Sequence, residues 1–175
     1  PVHVYPVAAV TKGMQGKELT DFETLRRAGA VAFSEDGRPV ENTKLYAQAM
    51  QKADELHMML LDHCEDLYLT DGGLLNEGSV SSQLRVKGVP AAAEEAAVAR
   101  DIALAAYYGA AVHLCHVSTA RSVAAVRQAK RAGIRVSCET APHYFAFTHE
   151  ELLRQDADYR MSPPLRTQED REAII

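Results

Sequence analysis

Side chains able to bind a metal gather where short apolar runs stop. Ala30–Ser34 runs into Glu35 and Asp36. Met58–Leu61 runs into Asp62-His63-Cys64-Glu65-Asp66, and Ala111–Cys115 into His116-Val117-Ser118-Thr119. Two imidazoles and a carboxylate suit zinc or a similar borderline metal. Water bound to such a metal has its pKa lowered to about 7, which gives hydroxide at neutral pH for hydrolysis. The three strand ends lie far apart in sequence, so the chemistry requires a fold that brings them together. In a parallel barrel they converge on one face. A lone histidine at a strand end is more often a hydrogen-bonded structural residue. Recurrence on successive strands is what favours the metal.

The other polar groups have plainer readings. His113 alternates with Cys115 in mid-strand and reads as structural, and strand alternation puts His116 on the face of Leu114 with Cys115 opposite, in the core. His57 ends a helix and complements its dipole. His143 follows a strand and reads as an outer group of the site, and His149 starts a helix in solvent. Glu94/Glu95 and Arg100/Asp101 read as salt-bridge partners on a helix surface.

The elements that must position these residues alternate apolar runs with amphipathic helices. Val2–Val10, Ala30–Ser34, Met58–Asp62, Ala111–Cys115 and Ile134–Cys138 read as strands. Asp21–Gly29, Asn42–His57, Pro90–Tyr108, Thr119–Arg131, Thr148–Gln155 and Thr167–Ile175 read as helices. Pro90 opens the Ala-rich helix, Gly109 and Gly133 follow helix ends, and Thr148 with Glu151 makes a capping box. Cys64–Gly88 has no clear period and reads as a long loop on the face where such sites form. The alternation means βα units and a parallel sheet, its strands apolar because both faces are covered. It leaves open a doubly wound sheet or an incomplete (β/α)8 barrel. Thr11-Lys12-Gly13-Met14-Gln15-Gly16 matches neither G-x-G-x-x-G nor G-K-[ST], which gives nucleotide binding little support.

Composition narrows the classes. The chain has 175 residues, 47% hydrophobic and 25% charged, as in an ordinary globular domain. A net charge of −5 supplies no basic field for nucleic acid or anionic lipid. No apolar run approaches the roughly 18–20 residues of a membrane span. Cys64, Cys115 and Cys138 form no disulfide framework and fit a reducing cytoplasm. The start at Pro1, without a visible signal segment, and the stop inside a helical pattern suggest an excerpt of a longer protein.

Seven short motifs, in order and end to end, carry a resemblance. They are Pro6-Val7-Ala8-Ala9-Val10-Thr11-Lys12-Gly13, Ala32-Phe33-Ser34-Glu35-Asp36-Gly37, Asp62-His63-Cys64-Glu65-Asp66, Asn76-Glu77-Gly78, Pro90-Ala91-Ala92-Ala93-Glu94-Glu95, His116-Val117-Ser118-Thr119 and Ser162-Pro163-Pro164-Leu165-Arg166. With these the chain resembles bacterial dihydroorotases of the longer, class I type, in the amidohydrolase superfamily. The resemblance implies that residues 1–175 are part of a (β/α)8 TIM barrel of the metal-dependent amidohydrolase type, covering about strands three to seven and truncated at both ends. It implies a zinc centre, two ions in the complete site, with Asp36 as the bridging aspartate and His63 and His116 on one of the two metals. Ser162 stands where the family usually has a substrate-touching asparagine, and its shorter hydroxyl would act through water.

The implied activity is the interconversion of N-carbamoyl-L-aspartate and L-dihydroorotate in pyrimidine synthesis. The family's His-x-His-x-Arg segment and its proton-shuttle aspartate, expected beyond Ile175, do not occur here. No catalytic residue is therefore assigned within the chain, which alone is not expected to be a competent enzyme. Hydantoinases and allantoinases carry a carboxylated lysine as bridge. Ala30–Gly37 has no lysine, Lys12 is on an earlier strand and Lys44 is inside a helix, which favours a dihydroorotase. A non-catalytic dihydroorotase-like subunit that scaffolds aspartate carbamoyltransferase stays open. The resemblance also allows that transcarbamoylase as partner of an active enzyme, and a homodimer.

Overall fold

The structure, a computed structural model, describes residues 2–175. In chain order its elements are β1 (Val7–Ala9), α1 (Phe22–Arg27), β2 (Ala32–Ser34), α2 (Thr43–Glu55), β3 (Met59–Asp62), α3 (Leu67–Thr70), β4 (Leu75–Asn76), α4 (Ser79–Leu84), β5 (Gly88–Val89), α5 (Ala92–Tyr108), β6 (Val112–Leu114), α6 (Ala120–Arg131), β7 (Val136–Cys138), α7 (Pro142–Ala146) and α8 (Gln168–Ile174). Short 3-10 segments lie at Lys12–Met14, His149–Arg154 and Ala157–Tyr159.

Strands β1, β2, β3, β6 and β7 form one parallel sheet, in that order. Strand order follows chain order without reversal. A doubly wound sheet reverses at its switch point, whereas steady progress through right-handed crossovers winds toward a barrel and keeps the crossover helices on one side. Of the two architectures left open by the alternation, the strand order selects the barrel winding.

Register places the core. Phe33, Leu60, Val112 and Val136 form one row across the sheet. They are buried with Met50 and Ala53 of α2, Val98 and Ala105 of α5, and Val126 and Ala129 of α6. Each large apolar side chain so buried contributes about 1.5–3 kcal/mol. The adjacent row, Ser34, Leu61, His113 and Ser137, points to the other face and is only half-buried.

Helix ends follow the sequence closely. Asp21, Asn42 and Thr119 accept the backbone N–H of Thr24, Leu45 and Ser122, and cap α1, α2 and α6. Gly109 and Gly133, at φ 65° and 77°, end α5 and the turn after α6 in a conformation that a side chain would strain.

Several expectations are corrected. The first strand is not Val2–Val10: only Val7–Ala9 pairs with β2, and the preceding residues are exposed. Pro6 has no N–H to offer a ladder. Cys64–Gly88 is no structureless loop. It holds α3, α4 and the small parallel sheet β4–β5, elements too short to show a period. Thr148 caps no helix. Its hydroxyl meets Glu150 instead, and the segment forms a 3-10 helix. His149 is buried, its N–H donating to Arg166 O at 2.8 Å, because Leu152 packs with Leu75 and Val80.

Of the charged residues of α5 expected in surface pairs, Glu95 does pair with exposed Arg121 at 3.8 Å, but the others turn inward. Glu94 and Asp101 lie on the buried stripe with Ala97, Val98 and Ala105. Arg100 bonds Asp62 Oδ2 at 3.2 Å, Asp101 Oδ1 at 2.8 Å and Val40 O at 3.0 Å, and stacks over the Tyr46 ring. Tyr46 donates its hydroxyl to Asp101 at 3.0 Å. Burial, reinforced by Asp62, holds the Asp101 carboxyl well above the usual carboxylate range.

Candidate metal centre

The ends of three neighbouring strands supply the centre. Asp36 lies two residues past β2, His63 immediately follows β3, and His116 lies two residues past β6. Adjacent strands run about 4.8 Å apart, so side chains from three such ends can meet. They do. His63 Nδ1 lies 2.9 Å from His116 Nε2 and 3.1 Å from Asp36 Oδ1, and His116 Nε2 lies 3.3 Å from the same oxygen.

Strand alternation alone would keep His116 on the helix side with Leu114. Its φ of 39°, in the left-handed region, breaks the alternation and brings the ring to the other two groups. Its Nδ1 is buried without a partner. Two imidazole nitrogens and one carboxylate oxygen thus converge, a borderline donor set that fits a divalent cation such as zinc.

His63 is buried and held from behind. Its Nε2 is 2.9 Å from Glu65 Oε2, and Thr70 donates its hydroxyl to Glu65 Oε1 at 2.7 Å. Burial works to lower the His63 pKa, but the Glu65 hydrogen bond and the charges of Glu65, Asp36 and Asp62 outweigh it and raise it above the ordinary imidazole value. The bond to His63 holds the Glu65 carboxyl below its usual range, against burial and with help from Thr70. Sequence reasoning gave Glu65 no role. The signal was there: residues i and i+2 in extended chain share a face, and His63 and Glu65 have that spacing.

Neighbouring candidates are placed elsewhere. Glu35 is buried and accepts the backbone N–H of Thr11 at 2.9 Å and its hydroxyl, which anchors the loop after β1. Cys64 lies in the helix-side core, where burial pushes its thiol well up. Cys115, expected in that core, is half-buried and clusters with His113 and Glu139. Burial together with Glu139 pushes it up to about 12. His113 is structural as expected, its Nδ1 2.8 Å from Ser137 Oγ. Burial and the charge of His116 hold His143 below its usual value, so it stands within electrostatic reach of the centre. Ser162 is exposed and shares the wall of a cavity of about 170 Å³ with Glu65, Thr70 and Arg160. Lys12 pairs with Glu18, away from the three groups.

A buried network behind the centre was not foreseen. Glu94 accepts the backbone N–H of Ser118 and of Thr119, each at 3.0 Å, just past His116. Arg166 bonds Ser118 Oγ and Asn76 Oδ1, each at 3.0 Å, and lies 3.8 Å from Glu94. Four of the short motifs thus meet in one polar cluster. Helical periodicity was the available signal for Glu94, since it falls in phase with Ala97, Val98 and Asp101.

Comparison with known proteins agrees with this geometry. Solved structures of hydantoinase type share the fold. L-hydantoinase (dihydropyrimidinase) from Arthrobacter aurescens superposes with a TM-score of 0.77 at 18% identity, over 97% of this chain and 39% of its own. A D-hydantoinase does so with a TM-score of 0.71 at 27% identity, over 88% and 36%. The sheet is therefore part of an amidohydrolase (β/α)8 barrel. Residues 1–122 match the family described as Dihydro-orotase-like. The chain belongs to that family. Curated relatives include the dihydroorotases of Syntrophus aciditrophicus (strain SB) and Pelotomaculum thermopropionicum (strain DSM 13744 / JCM 10971 / SI), each 49% identical over 99% of this chain. The chain spans about two fifths of their length, 41% and 40%.

Proposed function

We propose that this chain supplies one side of the zinc centre of a dihydroorotase, which interconverts N-carbamoyl-L-aspartate and L-dihydroorotate in pyrimidine synthesis. The observation that carries the reading is the convergence of Asp36, His63 and His116 within 2.9–3.3 Å. In this reading Asp36 bridges two zinc ions, and His63 and His116 hold one of them. Zinc, when bound, supplies Lewis-acid polarisation of the cyclic amide carbonyl and nucleophile activation at neutral pH. Ser162 borders the cavity beside Glu65 and contacts substrate through water. The absence of a lysine at the centre favours dihydroorotate over hydantoin or allantoin as substrate, since Lys12 is engaged with Glu18. A cytoplasmic setting is proposed on the three free cysteines. Among the described residues no helix is long and apolar enough to cross a membrane.

The test uses the full-length protein. It is expected to bind zinc and to hydrolyse dihydroorotate in preference to hydantoin and allantoin. His63→Ala and His116→Ala are each expected to lose zinc and activity while remaining folded. Unchanged zinc content in both variants overturns the metal assignment. Preference for hydantoin overturns the substrate. Co-purification with aspartate carbamoyltransferase without zinc or activity replaces the enzyme reading with the scaffold one.

A further inference from the structure

Resting on the metal-centre reading above, we propose that Glu65 is a positioning residue that fixes which nitrogen of His63 faces the centre, with Thr70 fixing Glu65 in turn. A neutral imidazole carries one N–H, and a carboxylate can only accept. Both ring nitrogens face a carboxylate, Nε2 at 2.9 Å from Glu65 Oε2 and Nδ1 at 3.1 Å from Asp36 Oδ1. Glu65 is the nearer, and His116 Nε2, 2.9 Å from Nδ1, can donate to it, so the N–H belongs on Nε2 and the Nδ1 lone pair faces the centre. That Nδ1 is the atom beside His116 Nε2 and Asp36 Oδ1, at 2.9 and 3.1 Å. A carboxylate behind a ligating histidine both fixes the ring and raises its basicity.

The support extends one layer further. Thr70 occupies the second Glu65 oxygen at 2.7 Å, so the carboxylate cannot rotate freely. Thr70 ends α3, which is held at its start by Asp66 Oδ1 accepting from Tyr68 N and Leu69 N at 3.0 Å each. The Asp66 backbone N–H donates to Ala93 O at 2.9 Å, which ties the segment to the base of α5. A short helix with no visible period in the sequence thus folds back to hold one carboxylate. His116 lacks such a partner, its Nδ1 being buried and unpaired. The two histidines are therefore unequal: His63 is held from behind by a carboxylate, and His116 has no hydrogen-bond partner behind its ring.

The experiment compares Glu65→Leu, Glu65→Gln and Thr70→Val with wild type in the full-length protein. The first readout is the nitrogen-15 NMR signature of the His63 tautomer in the metal-free protein at alkaline pH. The second is zinc affinity by chelator competition, with the absorption spectrum of the cobalt-substituted centre. Wild type is expected to show Nε2–H on His63. Glu65→Leu is expected to mix the tautomers, weaken zinc binding about 10–100-fold and shift the cobalt bands. Glu65→Gln, whose amide oxygen still accepts from Nε2–H, is expected to restore the tautomer and most of the affinity. Thr70→Val is expected to act in the same direction as Glu65→Leu but less.

A folded Glu65→Leu with wild-type tautomer, affinity and cobalt spectrum overturns the proposal. If that variant fails to fold, an Nδ1–H tautomer in wild type, or a Thr70→Val protein indistinguishable from wild type in all readouts, overturns it. Should wild type bind neither zinc nor cobalt, the metal-centre reading falls, while the tautomer readout still decides the role of Glu65.

Discussion

Nδ1 of His63 faces Nε2 of His116 at 2.9 Å across a sequence separation of 53 residues. Two lone pairs repel at that distance, so the arrangement is stable only with a proton or a cation between them. A divalent ion that binds only the folded state adds stability by mass action, about 2.7 kcal/mol at a free concentration one hundred times its Kd. Zinc is therefore expected to raise the Tm of the chelator-treated full-length protein, and Asp36→Ala, His63→Ala and His116→Ala to abolish that rise. Differential scanning calorimetry with and without zinc checks this. Equal zinc-dependent shifts in all four proteins would count against the centre.

Arg166 is expected to matter for stability out of proportion to its size. It is 4% exposed, and its removal leaves Glu94, 2% exposed, and Asn76 without their cation. Breaking a buried pair from one side costs about 3–5 kcal/mol. Arg166→Met should lower stability by about that amount in urea unfolding, and Glu94→Gln in the same chain should recover part of the loss. Additive losses in the double variant would show that the two residues are not coupled.

Asp101 gives a pH dependence of unusual sign for a carboxylate. Its folded pKa is raised, so the folded state holds one more proton than the unfolded state between the ordinary aspartate value and the raised one. Its contribution is therefore complete below the unfolded pKa and is lost as pH rises through the folded pKa. The slope reaches at most about 1.4 kcal/mol per pH unit for one proton. Asp101→Asn should flatten stability across that window, measured by urea melts at a series of pH values. A steeper slope in the variant would contradict the assignment.

A polypeptide of residues 1–175 on its own is expected to aggregate or to lack fixed packing. Strands β1 and β7 have one paired edge each among the described residues, and Val7 and Met59 on the less covered face are 48% and 36% exposed. Open parallel edges and uncovered apolar surface invite association. Size-exclusion chromatography with dye-binding fluorescence checks this. A monomer with a sharp cooperative thermal transition is the outcome that contradicts it.

The readable parts of this chain were those with a long repeat or a fixed chemical stop. Met58–Leu61 announced a strand by its apolar run, and α5 and α6 by periodicity closed at Gly109 and Gly133. That His63, His116 and an acid after β2 could meet was legible because strand ends in a parallel barrel share a face, but only the family resemblance chose Asp36 over Glu35. The segment between Cys64 and Gly88 was opaque because helices of four and six residues complete too few turns to show a period. Glu94 and Asp101 were misread because residue type suggested the surface while their phase on the helix placed them inside. The orientation of His116 depends on a single backbone angle that no pattern in its side chain reveals.

That angle has a further consequence. A non-glycine residue at φ 39° carries strain of about 1–3 kcal/mol, tolerated where the surrounding structure over-determines it. Asparagine or glycine would relieve it at the same position. On the proposed metal-centre reading, the position thus sets stability against function: the backbone favours glycine or asparagine, and the donor set favours histidine.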